Sequence, residues 1–277
     1  MSLDCVDKLE FTKMHGLGND FMVVDATKNK FKPSLDQLKK WSDRNFGVGF
    51  DQFLLVETSV NADFKYRIFN RDGSEVEQCG NGARCFAKFV TESGLTTKNV
   101  IKVETMSGII ILSIDSDSRV VVDMGKPNFI PKNIPLNMDY AEEYSLDILG
   151  ESRVFSAVSL GNPHAVLVVS SVATYPVLQV GKLIEPHSVF PNKVNVGFME
   201  ILDVNNIKLR VFERGSGETL ACGSGACAAA VTGIKRNLLI SPVKVIMSGG
   251  ELNITWDGDH IFMTGDANTV FKGCIDL

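Results

Sequence analysis

An internal repeat constrains the fold of this chain more than any other feature of its sequence. Two glycine-rich stretches, "QCGNGARC" and "ACGSGACA", each place a cysteine just before a helix-like segment. These cysteines, Cys79 and Cys222, lie 222 − 79 = 143 residues apart. The same offset relates residues in three separated stretches: Leu17–Asp20 to Leu160–Pro163, Gln52 to Asn195, Phe69 to Phe212, Arg71 to Arg214, Glu75 to Glu218, Gly80 to Gly223, Gly82 to Gly225 and Ala83 to Ala226. Because chance matches do not hold one register over such a span, we infer two structurally similar halves.

The repeat predicts domains at residues 8–126 and 150–277, joined by a proline-bearing, polar linker at 127–149. Segments such as "IIILSID", "AVLVV" and "IKLRVF" have the β-branched composition of strands. The segment after each repeated cysteine is predicted to be a helix, and the second is small and apolar on all sides. We therefore expect an α+β fold of two pseudo-symmetric domains, each with a mostly antiparallel sheet or barrel around a central helix. The active site is expected in the cleft between them, and the last strand is expected to pack on the other half.

Local signals refine the helix predictions. Ser34 after a proline is typical of a helix start, and Gly94 is typical of a helix end. Asn81 and Ser224 are predicted to cap the two central helices.

Composition narrows the classes of partner. The 277 residues include 28 basic and 33 acidic ones, a formal charge of −5, which gives no indication of nucleic-acid or membrane binding. No apolar run reaches membrane-spanning length, and the acidic start does not resemble a signal peptide. The six cysteines contain no C-x-x-C pair, so no metal site is predicted. We expect a cytoplasmic protein whose cysteines are mostly thiols.

Two cysteine-headed helices that face each other fit one reaction class. A helix start offers free N–H groups and partial positive charge, which together bind carboxylates and favour a thiolate by lowering its pKa. One thiolate could remove the proton from the carbon next to a carboxylate, and the opposite thiol could return a proton to the other face. The N–H donors would stabilise the negative charge that develops on the carboxylate. The arrangement predicts a racemase or epimerase that acts with Cys79 and Cys222, whereas Cys85 and Cys227 are interpreted as packing residues.

At these residues the chain resembles the diaminopimelate epimerases. The resemblance rests on the pattern N-x-D-G-S-x4-C-G-N-G-x-R at 70–84 and on the blocks "HGLGNDF", "GNPH", "VNVGF" and "ERGSGETLACGSGA". It implies epimerisation of L,L-2,6-diaminopimelate to meso-2,6-diaminopimelate in lysine and peptidoglycan precursor biosynthesis. It also implies that there is no cofactor and that the only ligand is the small-molecule substrate, and it implies a homodimer.

The resemblance also assigns roles to individual residues. Cys79 and Cys222 would be the acid/base pair, supported by His164 and Glu213. The reacting carboxylate would lie on the backbone N–H groups of a set of four residues: Gly80, Asn81, Gly223 and Ser224. The distal end of the substrate would contact a second set: Asn19, Gln52, Asn70, Asn162, Asn195, Glu213 and Arg214. Such an end carries a carboxylate and an ammonium group, which suit an arginine and a glutamate respectively.

Two alternatives stay open from the residues themselves. One is another cofactor-independent racemase or isomerase of the same superfamily, such as a proline racemase or a phenazine-pathway isomerase. The other is a two-lobed amino-acid binding module whose cysteines are only structural.

The repeat also predicts a structural ion pair in each half, in which Glu75 pairs with Arg71 and Glu218 pairs with Arg214.

Overall fold

A computed structural model describes residues 8–76 and 80–277. Its elements in the first part of the chain are, in order, β1 (Lys8–Gly16), β2 (Asn19–Asp25), α1 (Leu35–Ser42), β3 (Gln52–Glu57), β4 (Phe64–Asn70), β5 (Glu75–Val76), α2 (Gly80–Glu92), β6 (Val100–Thr105), β7 (Gly108–Ile114) and β8 (Val120–Asp123).

A short 3₁₀ helix at Pro131–Asn133 follows. The remaining elements are β9 (Tyr144–Ile148), β10 (Glu151–Ser159), β11 (Pro163–Val168), α3 (Val177–Ile184), β12 (Asn195–Asp203), β13 (Asn206–Glu213), β14 (Gly217–Thr219), α4 (Gly223–Lys235), β15 (Val243–Met247), β16 (Gly250–Trp256), β17 (Ile261–Gly265) and β18 (Asn268–Asp276). Among the described residues, no helix is long and apolar enough to cross a membrane.

The chain divides into two compact units. The first contains the residues up to Val122 together with Gly265–Leu277, and the second contains Asp123–Thr264. The segment 127–149, predicted as a linker, falls within the second unit and includes the 3₁₀ helix and β9.

Both units have the same strand order. In the first unit the order is β18-β1-β2-β3-β4-β6-β7-β8, with β5 as a short addition to β4. In the second the order is β9-β10-β11-β12-β13-β15-β16-β17, with β14 added to β13. Each sheet has two parallel pairs and is otherwise antiparallel. Among the described strands, the two orders differ in one connection: β18 pairs with β1 from the far end of the chain, whereas β9 directly precedes β10.

A helix packs against the sheet within each unit. In the second unit α4 contacts β10, β11, β12, β13, β15 and β16, so the sheet curls around this helix. The small side chains of α4 allow this, since nearly every residue from Gly225 to Gly233 is buried. Helix α2 contacts β1, β2, β3 and β7 in the first unit. The predicted sheet-rich α+β fold with a central helix is confirmed.

The outer helices complete the cores. Trp41 of α1 stacks near Phe53 of β3, with 6.2 Å between their ring centroids. In the second unit Val180 and Ile184 of α3 are fully buried among aromatic and aliphatic side chains. Ser34 caps α1 and exchanges hydrogen bonds with Gln37, which confirms the predicted helix start.

The cysteines are not all thiols. Cys85, Cys222 and Cys227 are buried thiols, whereas Cys274 in β18 is disulfide-bonded. Cys85 and Cys227 lie inside the central helices with no exposed surface, consistent with packing residues. Cys79 lies outside the described residues.

Candidate active site

The start of helix α4 places a thiol against the backbone amide of Gly225. Cys222 is the N-cap residue, and its Sγ accepts a hydrogen bond from the N–H of Gly225 at 3.4 Å. Ser224, predicted as the cap, instead lies in the first turn, with its Oγ 3.7 Å from the same sulfur. The cap prediction is wrong because the extended backbone of Cys222, with φ −126° and ψ 111°, already directs its own side chain over the helix end.

The equivalent glycines of the two central helices are required by packing. A Cβ added at Gly225 would lie 2.9 Å from Val211 Cγ2 and 3.2 Å from Cys222 Sγ. A Cβ added at Gly82 in α2 would lie 2.2 Å from the hydroxyl of Tyr66. A side chain at either position would therefore push the helix away from its sheet.

The pKa of Cys222 is raised well above its usual value, contrary to the sequence-based expectation. Burial is the largest cause, and the negative charge of Glu213 and a hydrogen bond to its carboxylate add to it. The bonds from Gly225 and Ser224 act in the opposite direction. The helix start favours the thiolate as predicted, but loss of solvent and a nearby carboxylate outweigh it. Cys222 is therefore a protonated thiol in the free protein.

Glu213 has a defined orientation at the end of β13. Its Oε1 accepts a hydrogen bond from Thr219 Oγ1 at 2.5 Å. Thr219 ends β14, which pairs with β13 through Glu213 and Gly217. The hairpin thus holds a carboxylate close enough to Cys222 to affect the pKa of its thiol. Sequence reasoning missed Thr219.

A chain of hydrogen bonds connects His164 to the same helix start. His164 Nε2 lies 3.0 Å from Asn162 Oδ1, which requires this nitrogen to carry the proton and donate it. Asn162 Nδ2 donates to Ser224 Oγ at 3.4 Å, and that hydroxyl lies near Cys222 Sγ. The structure therefore brings four predicted site residues of the second unit together.

His164 is neutral at ordinary pH. Its side chain is buried, with 1% of its surface exposed. Burial lowers its pKa to about 3, with a further contribution from the positive charge of Arg214. A neutral imidazole that already donates from Nε2 can accept a proton only at Nδ1.

Asn195 and Arg214 fix the loop that follows β13. Asn195 is buried, and its Oδ1 accepts from the backbone N–H of Arg214 at 3.0 Å. Its Nδ2 donates to the carbonyl of Pro163 at 3.0 Å. The guanidinium of Arg214 is exposed and donates to the carbonyl of Asn192 at 3.2 Å.

In the first unit, Gln52 and Asn70 form a cross-strand pair. Gln52 Nε2 donates to Asn70 Oδ1 at 3.0 Å, and Asn70 Nδ2 donates to Ser74 Oγ at 3.0 Å. The Oε1 of Gln52 is buried and accepts no hydrogen bond from the part of the chain that the structure describes. Asn70 occupies the position of Glu213, since 213 − 143 = 70. An amide thus stands in the first unit where the second has a carboxylate.

Asn19 contacts the start of helix α2. Its Oδ1 accepts from Asn81 Nδ2 at 3.4 Å. Asn81 lies within the first turn and does not cap the helix, because α2 already begins at Gly80. The buried Arg84 donates to Asn81 Oδ1 at 2.9 Å and to the carbonyl of Gly80 at 3.3 Å. Arg84 was part of the quoted sequence pattern, but sequence reasoning gave it no role.

The predicted repeated ion pair exists with different arginines. Glu75 binds Arg67 at 2.7 Å, and Glu218 binds Arg210 at 2.6 Å. The proposed partner Arg71 is wrong because it lies in the turn after β4, whereas the β4–β5 pairing aligns Phe69 with Glu75 and places Arg67 on the same face of the strands. Arg214 likewise lies in the turn after β13, and the second hairpin aligns Phe212 with Glu218, beside Arg210.

Known proteins resemble this chain over most of its length. A family model described as "Diaminopimelate epimerase" matches residues 11–130 and 156–270. The chain belongs to the diaminopimelate epimerase family. Two relatives with this name, from Cupriavidus pinatubonensis and Nitrosomonas europaea, are each 54% identical to the chain. The matches cover 98% of this chain, and 98% and 100% of those two proteins.

Solved structures of low sequence identity resemble the chain in fold. A phenazine biosynthesis protein from Enterococcus faecalis superposes with a TM-score of 0.70 at 14% identity, covering 98% of this chain and 100% of that one. A predicted epimerase from Pseudomonas aeruginosa gives 0.68 at 15% identity, covering 96% and 99%. A hydroxyproline epimerase from Agrobacterium vitis gives 0.66 at 14% identity, covering 97% and 92%.

Proposed function

We propose that this protein converts L,L-2,6-diaminopimelate to meso-2,6-diaminopimelate without a cofactor, in lysine and peptidoglycan precursor biosynthesis. The proposal is supported by the family model, which covers most of the chain, and by curated relatives of this name at 54% identity. The observation that carries it is the start of α4, where a buried, protonated Cys222 lies beside the first backbone amides of the helix and a carboxylate.

The proposed chemistry needs one thiolate and one thiol. The thiolate of one cysteine takes the proton from the α-carbon, whose electron pair moves onto the substrate carboxylate. The thiol of the other cysteine then donates its proton to the opposite face, which inverts the centre and leaves the two sulfurs with exchanged protonation states. No electrons enter or leave, so the step balances without an oxidant or reductant.

Cys222 is proposed as the cysteine that carries the proton in the free protein. Its raised pKa supports this, because a group that must donate first has to start protonated. Cys79 is proposed as its partner from the sequence repeat, and it would start as the thiolate. Glu213 and His164 are proposed to support these protonation states.

Substrate contacts are proposed at two ends. The reacting carboxylate would bind the backbone N–H groups of Gly80, Asn81, Gly223 and Ser224, the first residues of the two central helices. At the distal end the exposed guanidinium of Arg214 would bind the second carboxylate. The distal ammonium and its stereocentre would be read by a set of polar side chains: Asn19, Gln52, Asn70, Asn162, Asn195 and Glu213.

A solvent-isotope experiment tests the proposal. Reduced protein is incubated with L,L-diaminopimelate in D₂O with no added cofactor, and meso product and α-deuterium are measured by chiral chromatography and mass spectrometry. We expect deuterated meso product from the wild type and none from Cys79→Ala or Cys222→Ala. Cys227→Ala is the matched control, because Cys227 is a buried thiol within α4, and this variant should keep its turnover.

Folded, reduced wild-type protein that neither forms product nor exchanges its α-proton would contradict the proposal. Binding of the substrate with unchanged affinity in both cysteine variants would then favour a binding module. Exchange on proline or another amino acid would favour a different racemase. A homodimer and a cytoplasmic location remain predictions.

A further inference from the structure

The first unit contains a compact cluster of four charged residues that the proposed chemistry does not use: Lys13, Asp20, Arg44 and Asp51. We propose that this charged cluster is a positioning device that holds Asn19 in the orientation needed for substrate. The inference rests on the proposed function and deepens it. Asp51 would be the positioning residue that acts directly on Asn19.

Arg44 connects the two carboxylates of the charged cluster. Its Nη1 and Nη2 donate to Asp20 at 2.9 and 2.8 Å, a bidentate pair, and Nη2 also donates to Asp51 Oδ1 at 2.8 Å. Lys13 Nζ reaches Asp20 Oδ2 at 2.6 Å and also bonds to the carbonyl of Gly49. Two cations and two anions therefore compensate each other.

Asp51 connects Arg44 to Asn19 by hydrogen bonds. Its Oδ2 accepts from Asn19 Nδ2 at 3.1 Å and from the backbone N–H of Asp20 at 3.2 Å. One carboxylate oxygen thus holds the side chain of Asn19 and the backbone N–H of the residue that follows it. The amide oxygen of Asn19 is left for Asn81, in the first turn of α2. Arg44 consequently reaches the helix start through Asp51 and Asn19.

The carboxylate of Asp20 stays ionised although its side chain is largely buried. Lys13 and Asp20 side chains are only 10% and 14% exposed. Burial alone would raise the pKa of Asp20, but bonds and charges from Arg44 and Lys13 hold it well below its usual value. Because Asp20 stays ionised, it continues to hold Arg44 and Lys13 in place.

The fold itself does not require the charged cluster. Adding 143 to each position gives a set without any carboxylate, lysine or arginine: Ser156, Pro163, His187 and Val194. The second unit nevertheless builds the same strands in the same order. A purely structural role would apply equally to both units, whereas the charged cluster occurs only beside Asn19 and Gln52.

Asp51→Asn tests the inference with little change in shape. Asp51 serves three donors through two oxygens, and an amide has only one oxygen, so the variant must lose either Arg44 or Asn19. We expect KM for L,L-diaminopimelate to rise about tenfold with kcat changed less than about twofold, since Asn19 is proposed to contact the distal end. Asp63→Asn is the matched control, because Asp63, like Asp51, accepts from a cationic side chain and from a backbone N–H, here those of Lys98 and Lys102.

A double-mutant cycle separates positioning from general stability. In an Asn19→Ala background, Asp51→Asn should change KM less than about twofold, because its effect passes through Asn19. An undiminished effect in that background, or a KM equal to that of Asp63→Asn, would overturn the inference while leaving the proposed function intact. If Asp51→Asn does not fold, Arg44→Gln at a half-exposed side chain replaces it in the same cycle. Inactive folded wild-type protein would instead remove the proposed function itself.

Discussion

The two central helices begin in equivalent places but in different electrostatic surroundings. At the start of α4, the thiol of Cys222 lies with neutral groups and one carboxylate, and its pKa is raised. At the start of α2, the buried Arg84 contacts Asn81, and the charged cluster reaches the same residue through Asn19. Arg84 corresponds to Cys227 in the second unit, since 84 + 143 = 227. A repeated backbone therefore carries positive charge at one helix start and negative charge at the other.

The features that the two units share are the ones that stabilise the backbone. Helices α2 and α4 span Gly80–Glu92 and Gly223–Lys235, which differ by 143 at both ends. The bidentate pairs Arg67–Glu75 and Arg210–Glu218 close equivalent hairpins. The differences lie at side chains that contact the predicted site residues. This division suits an epimerase, whose two acid/base groups must start in opposite protonation states on a similar scaffold.

Replacing Glu213 tests the role of the carboxylate beside Cys222 and should have the largest effect on activity. Glu213→Gln is expected to lower kcat about 100-fold, the scale of an acid/base contribution. It should also lower the pKa of Cys222, because the carboxylate charge raises it. Measuring iodoacetamide labelling of Cys222 against pH by mass spectrometry should give a midpoint at lower pH than in the wild type. Glu218→Gln, a carboxylate paired with Arg210, should leave the midpoint unchanged.

The pH dependence of stability tests the burial of His164. Its folded pKa of about 3 lies below the ordinary 6.5, so below pH 6.5 the unfolded chain binds a proton that the folded protein does not. The stabilisation is present above pH 6.5 and is lost as the pH falls towards 3, at up to about 1.4 kcal/mol per pH unit.

His164→Phe introduces the residue that the first unit has at the equivalent position, Phe21, since 164 − 143 = 21. Urea unfolding from pH 4.5 to 8 should therefore show a shallower loss of stability on acidification than in the wild type. Parallel slopes for the two proteins would mean that His164 is not held neutral.

Removing the hydroxyl of Thr219 should have the smallest effect. Thr219→Val introduces the residue of the first unit, Val76, and removes the 2.5 Å bond to Glu213. We expect kcat/KM to fall about fivefold, the scale of one hydrogen bond. In a Glu213→Gln background the same change should cost less than about twofold. A full loss there would show that Thr219 acts independently of Glu213.

The sequence indicated which side chains belong to the proposed site, but not how deeply they are buried or which charges lie beside them. The glycines around Cys222 indicated a helix start correctly, and the predicted lowering of its pKa followed from that start alone. The opposing causes, burial and Glu213, depend on how far the sheet curls around α4. Asp20 and Asp51 stand directly beside the predicted residues Asn19 and Gln52, and this adjacency was a signal that could have drawn attention to the charged cluster.

The sequence by itself determined the repeat, the strand and helix segments, the family and the residues of the proposed chemistry. These features could be predicted because side-chain periodicity and the ungapped offset of 143 can be recognised without knowing which distant residues are in contact. Only the tertiary structure decided that Arg67 and Arg210 replace Arg71 and Arg214 as ion-pair partners, that β18 joins β1, and that Cys222 is a protonated thiol. Strand register and loss of solvent set these outcomes, and both arise from contacts between residues far apart in the chain.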